Sequence, residues 1–387
     1  MNPKAAKRFN PDDILRYVDE VFDGDMHAKR VQSVAGAVIG VLAAESLAVA
    51  AIGQGLAHVC GLDPKHSKKQ VDRLVGNAKL DVWDYFRLWV PHVVAARKTI
   101  VVAMDWTDFD RDGHATIALN LLTDHGRAIP LLWRTVPKAE LKGNRNAFED
   151  SLLERLHETL PDDVAVTVVA DRGFMDTHLM EVMQSSWGFD YIIRLRTNVT
   201  VTAEGGESRP SAKWVGRNGQ ARTLRRAGLT AKGFPVPTII CKHAKGMKEP
   251  WVLASSLGDA KPADLLKYYA KRWSIESYFR DTKDLRFGLG MDSIHTRSTD
   301  RRDRLFLLSA LAIVLLTLLG AACETVGYDR YLKSNTVKTR THSLFRQGQM
   351  VYQLIPNMKE KWLVPIMQAF AASLREHSAL SELFAPA

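Results

Sequence analysis

Tyr269, Arg272, Glu276 and Lys283 lie in a segment that follows Pro262-Ala-Asp-Leu-Leu and runs without Gly or Pro to Gly288. Those boundaries predict one helix. At ~100° per residue the four positions fall within a stripe roughly 60° wide, so an aromatic ring, a guanidinium, a carboxylate and an ammonium share a face. Such a mixture can grip phosphate and hold a metal ion. It can equally be a solvated surface on which Arg272, Glu276 and Arg280 make i,i+4 ion pairs worth only ~0.2–0.5 kcal/mol each.

The spacing Y-x2-R-x3-E-x6-K, matched at 269, 272, 276 and 283, resembles the signature of bacterial insertion-sequence transposases of the DDE superfamily, in the family typified by insertion sequence four. The resemblance makes Glu276 the third of three catalytic, metal-binding carboxylates and demands two Asp upstream, each after an apolar strand. Asp105 follows Thr99-Ile-Val-Val-Ala-Met104 and leads Asp105-Trp-Thr107, while Asp171 follows Val164-Ala-Val-Thr-Val-Val-Ala170 and leads Asp171-Arg-Gly-Phe174. Three carboxylates without a His/Cys cage suit Mg²⁺, a hard ion that retains water, with Mn²⁺ as a substitute. Two ions per site, ~3.5–4 Å apart, assist in-line attack at a phosphodiester by activating the attacking oxygen and neutralising the leaving one. The resemblance further implies cut-and-paste transposition through a DNA hairpin. It places double-stranded DNA, as terminal inverted repeats and target, in a synaptic homodimer. It assigns Tyr269, Arg272 and Lys283 to phosphates, and Trp251 to stacking on a flipped base; Trp251 can as well be a core Trp at a strand start.

The elements that must position these residues follow from hydrophobic period. Residues 1–98 read as helical. Within them His66-Ser67-Lys68-Lys69-Gln70-Val71-Asp72-Arg73-Leu74-Val75 is a helix with Ser67 as its N-cap, an apolar stripe, and Lys68, Lys69 and Arg73 on another face. It is expected to serve either as part of a helix-turn-helix-like DNA-binding unit or as an ordinary basic surface helix. From Thr99 the period becomes that of strands, in the order βββαβαβ: strands at 99–104, 115–122, 128–136, 164–170 and 190–196, helices at 145–160 and 177–186. That order predicts a ribonuclease-H-like α/β core over 99–323, in which a right-handed crossover lays the fourth strand parallel to the first and brings Asp105 beside Asp171. Residues 197–250, rich in Gly and alternating runs, interrupt this core as a β-rich insertion, after which Trp251–Ser256 returns to the sheet. Residues 324–387 read as a helical region serving dimer or DNA contacts.

Charge agrees with a polyanionic partner. The 387-residue chain carries a net +10 with 25% charged residues. Residues 194–250 alone hold twelve Lys/Arg against three Glu. Arg222, Arg225 and Arg226 are the insertion's candidate DNA contacts, while Arg194 and Arg196 are either contacts or a solvent face. Three widely spaced Cys, at 60, 241 and 323, exclude a disulfide framework or zinc site and fit a reducing cytoplasm. The polar N-terminus has no secretory pattern. Leu305–Cys323 is uncharged and long enough to span a membrane, but is read as a buried helix on the sheet because both flanks are soluble in character. A nuclease or resolvase of the same fold without strand transfer, and a DNA-binding derivative without catalysis, are the alternative readings.

Overall fold

The computed structural model describes residues 10–22, 24–216 and 219–375. The N-terminal residues in which no secretory pattern is read lie outside them. The described chain opens with helices α1 (Pro11–Phe22), α2 (Ala28–Ala44), α3 (Val49–Cys60), α4 (Pro64–Val75) and α5 (Val82–Val94). The start of α4 differs from expectation: Asp63, not Ser67, is the N-cap, and its carboxylate accepts from the His66 N–H at 2.8 Å. Pro64 at the first helical position favours this earlier start, since its fixed φ suits a helix and its missing N–H would be unpaired there anyway. Ser67 is buried inside the helix. The three-residue turn before α4 begins at Gly61, whose φ of +66° closes α3.

The strands β1 (Thr99–Phe109), β2 (His114–Leu121) and β3 (Ile129–Pro137) form an antiparallel meander. Helix α6 (Arg145–Thr159) carries the chain back to β4 (Ala165–Ala170), parallel to β1, and α7 (Thr177–Ser185) carries it to β5 (Asp190–Arg194), parallel to β4. The order β3-β2-β1-β4-β5 is the expected ribonuclease-H-like core. One detail is corrected: β1 does not stop at Met104 but continues to Phe109, because β2 goes on pairing with it as far as Phe109 opposite His114.

The insertion does not interrupt the sheet. It contributes β6 (Thr200–Thr202), β7 (Ser208–Pro210), β8 (Arg222–Leu229) and β9 (Phe234–Lys242), and β10 (Trp251–Ser255) joins it to β5. One ten-stranded sheet results, running β3-β2-β1-β4-β5-β10-β9-β8-β6-β7.

The single helix expected from 262 onward is two, α8 (Pro262–Lys271) and α9 (Trp273–Lys283), and it ends before Gly288. At the junction the Arg272 N–H bonds the Tyr269 carbonyl at 3.1 Å and the Ile275 N–H bonds the Arg272 carbonyl at 3.0 Å, so the ladder tightens to i→i−3 around Arg272. Asp284 terminates α9 in extended conformation.

The apolar run at 305–323 lies within α10 (Thr299–Thr325), which is long and apolar enough to cross a membrane and is enclosed by the rest of the fold. It packs against β3, α2 and two further helices, α11 (Leu344–Leu354) and α12 (Glu360–Arg375). Helices α10 and α11 cross backbone to backbone: a Cβ on Gly320 would stand 2.0 Å from the Leu344 carbonyl oxygen, and one on Gly348 1.9 Å from that of Leu316. The outer edge of β3 is capped from α10, where the Asp303 carboxylate accepts from the Thr135 N–H at 3.0 Å and the Trp133 indole donates to the Asp303 carbonyl at 3.1 Å.

Candidate active site

The parallel pairing of β1 with β4 runs in register from Thr99 opposite Ala165 to Met104 opposite Ala170. The next residues on the two strands are Asp105 and Asp171, so the sheet itself sets them side by side. Asp105 is mostly buried; one carboxylate oxygen accepts from the Trp106 N–H at 2.9 Å and the other from Arg272 Nη1 at 3.0 Å. Burial pushes its pKa up to about 6, opposed by the Arg272 charge and reinforced by those of Asp171 and Glu276. Asp171 caps the turn that follows it, accepting from the Gly173 N–H at 2.7 Å. Arg196 steadies that turn by donating to the Arg172 carbonyl at 3.2 Å, and Arg194 holds Glu249 at 2.8 Å. These two arginines therefore brace the site from β5 and the residues after it.

Glu276 reaches the cluster from α9. Its carboxylate accepts from Arg272 Nη2 at 3.2 Å, so a single guanidinium bridges Glu276 and Asp105. Arg272 is buried, its side chain 9% exposed, with its Nε enclosed and without an acceptor. The expected stripe is thus realised with unequal exposure. Tyr269 is buried beneath the Arg272 guanidinium and meets Trp251 edge-on at 4.9 Å, while Glu276 faces solvent. Lys283 closes the far end: its ammonium donates to the Asp108 carbonyl at 2.6 Å and to the Thr107 hydroxyl at 3.2 Å, over the Phe109 ring.

The sequence reading missed Glu149. Its carboxylate, buried on α6, accepts from the Trp106 indole at 2.9 Å and thereby holds the residue next to Asp105. A signal was present, because Glu149 shares a face with the apolar Leu152, Leu153 and Leu156, where a lone acid calls for a partner.

The donor chemistry, carboxylate oxygen alone, fits a hard divalent ion. Among the described residues no three His, Cys, Asp or Glu side chains stand close enough to share one ion. Arg272 occupies the space between Asp105 and Glu276.

Other candidate contacts are dispersed. Trp251 is half-buried and lines a cavity of about 670 Å³ with Lys242, Leu266 and Lys267. Arg222 is exposed and stacks on the Trp214 ring at 4.9 Å, and exposed Arg226 pairs with Glu204. Arg225 bonds the Thr238 hydroxyl at 2.6 Å and the Gly258 carbonyl, tying β8 to the turn before α8. Lys69 and Arg73 line a cavity of about 780 Å³ with His27, Lys29, Arg30 and His66, a concentration of positive charge between α2 and α4. Lys68 is turned instead toward α3, where Gly53 leaves room for its backbone.

A meander followed by two parallel crossover strands, with carboxylates in register where the central pair ends, defines the chain's catalytic region as a ribonuclease-H-like α/β core. Residues 96–315, more than half of the chain, match the family described as the transposase DDE domain, and the chain belongs to that family. Membership makes DNA its substrate and transposition its function. No curated protein matches the chain.

Proposed function

We propose that this transposase excises an insertion sequence at its ends and joins it to target DNA through divalent-metal-dependent phosphoryl transfer, with Asp105, Asp171 and Glu276 as the metal-holding carboxylates. The observation that carries the proposal is the β1–β4 register, which makes Asp105 and Asp171 neighbours, together with the guanidinium that ties Glu276 to Asp105. Two bound Mg²⁺ ions, or Mn²⁺ in their place, would supply activation of the attacking oxygen and neutralisation of the leaving one.

The chain's own residues then do the positioning. Arg272 and Lys283 hold phosphate oxygens on either side of Glu276, Arg272 with a planar fork suited to bidentate contact and Lys283 as a point charge. Tyr269 supports the guanidinium from below. Trp251, at the mouth of its cavity, receives a base turned out of the helix as the second strand is bent into a hairpin. Residues 1–98 grip the element's ends through Lys69 and Arg73 at the cleft between α2 and α4. Arg222 adds a contact on the insertion. Two copies act together, in the manner of the insertion-sequence-four family whose Tyr-Arg-Glu-Lys spacing the chain carries.

The test is a time course on labelled end DNA with Mg²⁺, resolving nicked, hairpin and fully cut products. Asp105→Ala, Asp171→Ala and Glu276→Ala should each abolish cleavage while leaving DNA binding largely intact, because a lost metal ligand removes transition-state stabilisation more than ground-state grip. Trp251→Ala should slow hairpin formation more than nicking. Cleavage at the wild-type rate in any carboxylate variant would remove that residue from the site. Nicked product without hairpin or strand transfer in the wild type would make the protein a nuclease.

A further inference from the structure

The guanidinium of Arg272 stands 3.0 Å from an Asp105 oxygen and 3.2 Å from a Glu276 oxygen. Those are two of the three carboxylates assigned to metal under the proposed function, and the present inference rests on that reading. A guanidinium on these oxygens competes with a divalent ion for them, since like charges a few ångströms apart in a partly buried site repel. Among the described residues no three His, Cys, Asp or Glu side chains are grouped to hold one ion. We propose that Arg272 is a built-in counter-ion that holds Asp105 and Glu276 closed to divalent metal until a DNA phosphate draws its guanidinium away.

Three observations support this exchange. First, the hold is incomplete: the Arg272 Nε is buried without an acceptor, and buried donors left unpaired are costly. A phosphate offers the two-pronged acceptor that the Nε–Nη edge matches, which two separate carboxylates do not. Second, the guanidinium cannot simply drift into water. Its side chain is 9% exposed and its charge stands 5.9 and 5.8 Å from the ring centres of Tyr269 and Trp273, so an entering anion is a better partner for it than bulk water. Third, Arg272 sits where α8 meets α9 and the helical ladder shortens to i→i−3 bonds. The residue is therefore at a junction, where a local adjustment disturbs less than it would inside a continuous helix.

The consequence is linkage. If phosphate frees the carboxylates, DNA must tighten metal binding, and metal must tighten DNA binding by the same factor. Nuclease chemistry is thereby withheld from a protein that has metal but no DNA.

The experiment measures Mn²⁺ binding to the full chain by the loss of the free hydrated ion's electron paramagnetic resonance signal, with and without a DNA duplex. Wild type without DNA should bind Mn²⁺ weakly, and duplex should tighten it beyond the Mn²⁺ that the same duplex takes up alone. Arg272→Gln, which keeps most of the volume and removes the charge, should bind Mn²⁺ at least tenfold more tightly than wild type in the absence of DNA, about 1.4 kcal/mol, and should gain less from duplex. Arg272→Lys, which keeps a charge but cannot bridge both carboxylates, should fall between them and serves if Arg272→Gln does not fold by circular dichroism. Unchanged or weaker Mn²⁺ binding by a folded variant without DNA would overturn the counter-ion role. Asp105→Asn in the presence of duplex separates this from failure of the underlying reading: if it leaves the duplex-tightened Mn²⁺ binding intact, the metal site itself is misplaced and the inference falls with it.

Discussion

Relative to wild type, Asp303→Asn should gain stability as pH rises. The Asp303 carboxylate caps the edge of β3 by accepting from the Thr135 N–H at 3.0 and 3.3 Å, and its burial pushes its pKa from 3.8 up to about 7. The raised pKa means that the folded chain keeps a proton which the unfolded chain has already lost. Stability is therefore greatest below about pH 4, falls as pH rises, and levels off once pH passes 7. At 1.36 kcal/mol per pH unit, a rise from 3.8 to about 7 amounts to at most ~4 kcal/mol. The side chain is only half-buried and opens on a cavity of about 520 Å³, so solvent relieves part of this and about 2 kcal/mol is the working figure. Asn keeps the acceptor for Thr135 and never ionises. Its amide adds donors that can cost ~1–3 kcal/mol if unpaired, but that penalty does not vary with pH. Other buried acids such as Asp105 titrate in both proteins and cancel in the difference. Urea denaturation of wild type and Asp303→Asn at pH 4.5, 6, 7 and 8 measures the gap. It should widen by ~1 kcal/mol between the first and third of these, the rest of the ~2 kcal/mol being lost below pH 4.5, and then stay constant. A gap independent of pH would show that Asp303 is ionised in the folded protein and that its burial is compensated.

Two other outcomes follow from the same structure. Gly348→Ala places a methyl carbon 1.9 Å from the Leu316 carbonyl oxygen, so α10 and α11 must separate. The ~1 kcal/mol gained in helix propensity is outweighed by overpacking of ~1–3 kcal/mol or more, and the thermal midpoint should drop by several degrees. In the cleft between α2 and α4, replacing Lys69 and Arg73 together with Ala should flatten the log–log salt dependence of DNA binding by ~1.8, at ~0.9 for each phosphate contact. An unchanged slope, read by fluorescence anisotropy across salt concentrations, would make that cleft a bystander.

What the sequence made legible was whatever rests on local period. The β-branched runs before Asp105 and Asp171 can be little but buried strands, and the order of elements around them leaves few topologies in which the two are not neighbours. Glu276 needed the spacing of four residues, read as one helix and found across two. What depends on contacts between distant segments was hidden. No local pattern shows that the ladder tightens at Arg272, nor that its guanidinium bonds an aspartate 167 positions away. The same holds for Arg225, which reads as a DNA contact in a basic run: its bonds to the Thr238 hydroxyl and to carbonyls before α8 have no local sign. Asp63 was a local miss: Asp followed by Pro is itself a start signal, and it lies one turn ahead of the Ser taken as the cap.

The continuity of the sheet makes it a ruler. Because β10 pairs with both β5 and β9, the insertion's strands continue the core sheet, and distances across it follow from counting strands. From β4, which delivers Asp171, to β8, which carries Arg222, the order gives four steps, β4-β5-β10-β9-β8. At ~4.8 Å per step that is roughly 19 Å, ignoring twist. With ~3.4 Å of duplex axis per nucleotide of one strand, this spans about six nucleotides. A duplex lying across the sheet and held at Arg222 would be presented to the carboxylates at a set number of nucleotides from the hold, so the position of the cut would be encoded in the number of strands between them.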